Sequence, residues 1–218
     1  MENIRKTLYL FVLFVHCACS AGSYEDFFSA LKRDDELAVS ALLRRGFDPN
    51  ALNPAGEHGL IVALREPSLK VVSVLLAWPK TNVEARTERD ESPLMLAALK
   101  GLTDVCQKLI ERDADVNKPG WAPLHYAATN GHLAVMSLLL DQHAYVDAAS
   151  PNGTTPLMMA ARYGTPESVK LLIEAGADPA IRNVQGLSAV DFAIQASRPE
   201  SAELIAAVMR ARRPKGTW

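Results

Sequence analysis

Cysteine is scarce in this chain of 218 residues: it has three, and two of them, Cys17 and Cys19, fall within the first 20 positions. If that segment is removed, only Cys106 remains and no intrachain disulfide can close. Stability must then come from packing. Aromatic residues make up only 6% of the chain, while alanine and leucine are abundant, a balance that favours helices over sheet. Charge of one sign is lacking as well. The formal net charge is −2, whereas nucleic-acid binding needs a basic face, so no nucleic-acid partner is expected. No apolar run approaches the roughly 20 residues that span a bilayer, so no integral span is expected. The signatures of common active sites are missing too. There is no GxSxG, Walker loop, HExxH or dinucleotide fingerprint, and no CxxC beyond residue 21. Neither a catalytic residue nor a cofactor is expected.

The first 21 residues read as a leader. Arg5 and Lys6 precede an uncharged apolar run from Leu8 to Val15, followed by HCACSAG. A basic start, a short apolar centre and small residues after it describe a secretory signal peptide. Cleavage is expected after Ala21, with Ser23 as the alternative. Lipid attachment at Cys19 is disfavoured, because His16 stands where an aliphatic residue is needed. Removing Glu2, Arg5 and Lys6 leaves 21 basic and 24 acidic side chains, a formal charge of −3. The short leader and the lack of disulfides point to the periplasm of a Gram-negative bacterium, or otherwise to secretion.

Beyond the leader the chain repeats itself. APLHYAATNGH, from Ala122 to His132, returns 33 residues later as TPLMMAARYGT. The alanine after the PLH-like tetrad recurs at Ala30, Ala63, Ala97, Ala127, Ala160 and Ala193, spaced 33, 34, 30, 33 and 33. Leucine-type pairs keep the same phase, as at Leu75-Leu76, Leu139-Leu140 and Leu172-Ile173. So do GFDPN, DADVN, HAYVD and GADPA. Each residue type has a local reason. Pro123 and Pro156 suit the first position of a helix. Ser92 and Thr155 can cap helices with a hydroxyl. Paired alanines let short helices approach closely. Gly131 and Gly164 are expected to end helices in a left-handed conformation. One pair of helices cannot bury the VxxLL stripe alone, so neighbouring pairs must stack.

These phrases resemble the ankyrin repeat, whose pattern runs TPLHxAA-xxG, VxxLL, GADVN. The resemblance implies an all-α ankyrin repeat solenoid of about six helix-turn-helix units with hairpin-like loops. The expected repeat domain is 24–213, with units at about 24–53, 54–86, 88–117, 119–148, 151–180 and 184–213, and a basic tail at 214–218. Unit two departs from the pattern, with His58-Gly59-Leu60 in place of TPL and an extra residue in WPKTN. Between Asn117 and Pro123 three residues are missing. Loop length is well tolerated, so a notch in the projecting edge is expected there.

Other chemistry has a plainer reading at each position. His125, His132 and His143 could suggest zinc, but His125 holds the family's TPLH histidine, which links neighbouring repeats by hydrogen bonds. No metal site is expected. Cys106 stands where other units have valine or methionine, so it reads as a small buried hydrophobe rather than a redox centre. Asp48, Asp115, Asp147 and Asp178 share one register and read as turn residues. NGT at 152–154 fits a glycan acceptor but also a hairpin tip. Arg210, Arg212, Arg213 and Lys215 complement a terminal helix dipole, or else meet an anionic surface.

The resemblance implies a non-catalytic scaffold, expected to act as a monomer, that binds an exported protein through its concave groove. Candidate contacts at hairpin tips and first-helix ends are Leu99, Trp121, Asn130, Thr154, Arg162 and Tyr163. Trp121 on the trimmed loop has no evident core to enter and is the expected anchor, unless it folds over the notch. Tyr126, Met159 and Phe192 are expected in the core. Two alternatives stay open: an inhibitor-like or antitoxin-like accessory of a co-secreted enzyme, and a protein that keeps another exported protein folded. A metal-binding or redox protein is the reading from another class.

Overall fold

Several helix starts in this chain are set by reciprocal bonds that satisfy the open amides of the first turn. Ser92 Oγ accepts from the amide of Met95 at 3.2 Å, and Thr155 Oγ1 from that of Met158 at 3.4 Å. The third helical residue accepts in turn from the amide of the cap. Met95 and Met158 do so through sulfur at 3.4 Å, and Asp191 through a carboxylate at 2.8 Å. Ala122 has no hydroxyl to offer, but its amide donates to His125 Nδ1 at 3.1 Å. Proline opens the helices at 93, 123, 156, 166 and 199.

The computed structural model of the chain describes residues 22–212, which form two compact units, 22–87 and 88–212. The expected leader and the tail 214–218 lie outside these residues. Among the described residues there is no strand, only an isolated antiparallel bridge between Leu52 and His58. The all-α repeat of helix pairs expected from the sequence is the fold observed.

The first unit holds α1 (22–32), α2 (Glu36–Arg44), α3 (Gly59–Arg65) and α4 (Leu69–Ala77). Phe27, Leu31, Leu43, Leu60, Leu64 and Leu75 are its buried centre. Phe27 explains the departure at Gly59: a Cβ there would meet the Phe27 ring at 2.9 Å. Asp34 Oδ1 accepts from the Val71 amide at 3.0 Å, which ties the α1–α2 turn to the start of α4.

The second unit runs α5 (Pro93–Leu99), α6 (Thr103–Ile110), α7 (Pro123–Asn130), α8 (Leu133–Asp141), α9 (Pro156–Tyr163), α10 (Pro166–Glu174), α11 (Ala189–Gln195) and α12 (Pro199–Ala211). The odd-numbered helices pack in one row and the even-numbered in another. Ala97-Ala98, Ala127-Ala128 and Ala160-Ala161 are all buried where successive first helices meet. Val135, Met136, Leu139, Val169, Leu172 and Ile205 fill the layer beneath. Each such side chain contributes about 1.5–3 kcal/mol of apolar burial. Cys106 belongs to this core, where burial pushes its thiol up to about 12.

One glycine expectation fails. Gly131 is left-handed at φ 65°, but Gly164 is extended at φ −77° and ψ −153°. Crowding is what demands glycine at 164. A Cβ there would sit 2.5 Å from the Ala128 carbonyl of the neighbouring repeat and 2.6 Å from Ser168 Oγ.

Three hairpin tips close alike, with Asn53, Ser150 and Asn183 donating to the carbonyls of Glu57, Thr154 and Leu187 at 2.9–3.0 Å. In the short loop, Asn117 reaches sideways to the next loop. Its Nδ2 donates to the His143 carbonyl at 2.8 Å, and its Oδ1 accepts from the Tyr145 amide at 2.7 Å. Asn50 makes the same pair of bonds to Lys80 and Asn82. Lys118 then bridges to Asp90 with its side chain only 12% exposed, so the expected notch is partly filled.

Candidate partner-binding groove

The short loop decides where Trp121 goes. Gly120, at φ 85°, turns the chain sharply before it, and the buried Ala122–His125 bond anchors it after. The half-buried indole stands edge-on to the His125 ring, with centroids 5.2 Å apart. His125 is fully buried. Its Nδ1 accepts from Ala122, so the proton sits on Nε2 and is donated to the Thr154 carbonyl at 3.0 Å. Burial holds this histidine below its ordinary pKa and keeps it neutral, although bonds to backbone groups oppose the shift. The inter-repeat link expected of His125 is therefore present.

Around this pair lies an apolar recess of about 260 Å³, lined by Leu99, Trp121, His125, Tyr126, Thr129 and Met159. Its walls come from α5, α7 and α9, so three successive repeats contribute. Thr129 Oγ1 is turned inward and donates to the His125 carbonyl at 2.8 Å. At one edge the Tyr126 hydroxyl faces Glu91 Oε1 at 3.5 Å. Burial, helped by the Glu91 charge, pushes that phenol up to about 12.

Further along α9, Arg162 lies 5.3 Å from the centroid of the Tyr163 ring and 5.8 Å from that of Phe192. Its Nη1 donates to Gln195 Oε1 at 3.4 Å. Tyr163 is 51% exposed.

The contacts expected from the sequence divide. Leu99 and Trp121 line the recess, Arg162 and Tyr163 follow its wall residue Met159 on α9, and Asn130 is exposed with its amide donating to the Leu99 carbonyl at 2.8 Å. Thr154 is a correction. It is 2% exposed, its amide is held by Ser150 Oγ at 2.9 Å, and its carbonyl accepts from His125. At the same register Glu91, Trp121 and Leu187 are half-buried, and only Thr154 is drawn fully inward. Tyr126 and Met159 are also corrected: both are half-buried recess walls, and only Phe192 of the three is core. Tyr126 carried a signal in its amphipathic ring, whose hydroxyl needs a polar partner when covered.

The other candidate groups serve structure. His132 Nε2 bonds with the Leu99 carbonyl at 3.0 Å. Asp48, Asp115 and Asp178 accept amides two residues ahead, as turn residues do. Asp147 instead reaches the Asp178 amide at 3.1 Å, and burial raises its pKa. Arg210 pairs with Glu203, and Arg212 donates to the Ala177 carbonyl. Among the described residues no group of three or more His, Cys, Asp or Glu could hold a metal ion, and no helix is long and apolar enough to cross a membrane.

The chain is similar to several known proteins. A mouse ankyrin repeat and SAM domain-containing protein is 35% identical over 130 residues, covering 56% of this chain. The chicken nuclear factor NF-kappa-B p105 subunit is 31% identical over 160 residues, covering 70% of this chain. The chain spans only 15% and 16% of these two relatives' lengths. Among solved structures, a chain in the complex of a predatory endopeptidase from Bdellovibrio bacteriovorus with an immunity protein matches with TM-score 0.72 and 29% identity. That match covers 84% of this chain and 97% of the other. The family model of ankyrin repeats, in three copies, matches at 16–119, 60–150, 94–183 and 124–211. With the helix pairs, the capped PLH-like starts and the inter-repeat histidine already in place, these matches establish that the chain belongs to the ankyrin repeat family.

Proposed function

We propose that the chain is a non-catalytic binding protein that holds a protein partner in the groove of its second unit. The recess around Trp121 carries this reading: an apolar hollow with aromatic walls, built by three repeats, on a row of packed helices. Interface anchors are commonly tryptophan, tyrosine and arginine, and all three stand here. His125, Thr129 and Asn130 spend their polar atoms on backbone groups, which favours binding over chemistry. The leader-like first 21 residues favour an exported partner.

A finer reading is that the partner is a peptidase that this chain restrains. The near-full-length similarity to a chain in the complex of an endopeptidase with an immunity protein supports it. Capture from the exported fraction of the source organism, with wild type and Trp121→Ala as paired baits, tests both levels. A partner held by wild type and lost by Trp121→Ala supports the groove. Peptidase activity that falls when the chain is added supports restraint. A captured partner that keeps full activity at saturation removes the inhibitor reading and leaves the binding reading standing.

A further inference from the structure

The recess is smaller than the roughly 300–1,000 Å³ of a small-molecule pocket, at about 260 Å³. It has room for one large apolar side chain. One helical turn beyond its wall residue Met159 stands a cation, Arg162. Met159 and Arg162 are three apart on α9, so they share one face. Arg162 is held by two rings and by Gln195, and among the described residues no carboxylate pairs with it. A guanidinium stacked on rings is pre-organised and still offers N–H groups that match a carboxylate in a paired geometry. Of the other basic groups of this unit, Lys118 pairs with Asp90, Lys170 with Glu174, Arg182 with Asp191 and Arg210 with Glu203, and Arg198 and Arg212 donate to backbone carbonyls.

Resting on the groove reading above, we propose that the partner engages through an apolar–acidic segment. One apolar side chain fills the recess between Trp121, Tyr126 and Met159, and a nearby aspartate or glutamate pairs with Arg162. Charge complementarity sets this chemistry: a basic neighbour would leave Arg162 facing a like charge.

The probe is a random short-peptide library displayed on phage and panned against the full chain. The selected peptides are synthesised and titrated by fluorescence polarisation against wild type, Trp121→Ala, Arg162→Gln and Arg162→Lys. Circular dichroism checks that each variant is folded. The expected winners carry an acidic residue within a few positions of a leucine, methionine or phenylalanine. Their binding weakens with salt and falls about tenfold or more in both Trp121→Ala and Arg162→Gln, the scale of an interface anchor. Arg162→Lys recovers part of the loss. Winners without acidic residues, or a change within about twofold in Arg162→Gln beside a large loss in Trp121→Ala, overturn the proposal and leave the groove reading intact. Winners indifferent to both substitutions, or no winners at all, count against the groove itself.

Discussion

His125 on α7 donates its Nε2 proton to the carbonyl of Thr154, 29 residues away in the next repeat, while its Nδ1 holds the amide of Ala122. One imidazole thus caps its own helix and joins two repeats. Removing it leaves the buried Ala122 amide without its partner, which costs about 1–3 kcal/mol, while the Thr154 carbonyl keeps the Ser150 amide. His125→Ala should lose at least that much in urea unfolding. His125→Met should lose less, because Met95 and Met158 already accept the cap amide at the same position in neighbouring repeats.

The same residue sets a pH dependence. Its pKa is lowered in the folded chain, whereas the unfolded chain titrates near 6.5. The unfolded state therefore binds the proton first, and stability is lost as pH falls below that value toward the folded pKa. Asp147, raised by burial, acts with opposite sign. The comparison is between wild type and His125→Met: the wild type should lose more stability on acidification from neutral pH. Equal slopes would mean that His125 does not titrate in this way.

Gly164 makes a test of crowding against propensity. Glycine to alanine usually helps a helical neighbourhood, yet here the added carbon meets the Ala128 carbonyl at 2.5 Å. Gly164→Ala should cost about 1–3 kcal/mol through overpacking. A stabilised variant would show that the repeats stand further apart at this point.

Leu139 is fully buried in the second-helix layer. Leu139→Ala should cost about 2–5 kcal/mol in denaturant unfolding. A loss below about 1 kcal/mol would put the buried stripe elsewhere.

Most of the fold is legible in the sequence because it rests on periodicity. Alanines in phase from Ala30 to Ala193 and leucine pairs behind them can bury their faces only by stacking, whatever the loops do. The site is less legible, because exposure at a repeat position depends on what the neighbouring repeat places against it. Trp121 and Thr154 share a register, yet Trp121 is half-buried beside the His125 ring while Thr154 is held inward by its bonds to Ser150 and His125. Leu96, Tyr126, Met159 and Phe192 also share a position, yet only Leu96 and Phe192 are buried. Gly164 misleads because extended backbone crowded by a carbonyl leaves the same letter as a left-handed cap.

The groove itself is tested most directly by titrating the captured partner against wild type and Trp121→Ala by calorimetry, with unfolding measured in parallel. Trp121 meets His125 edge-on, so its removal should cost some stability, about 0.5–1.5 kcal/mol for such a ring pair. Binding should weaken by more, about 2 kcal/mol or greater. Affinity unchanged in a variant that has lost stability would contradict the account: Trp121 would then be a lid on the short loop, and the partner would bind elsewhere.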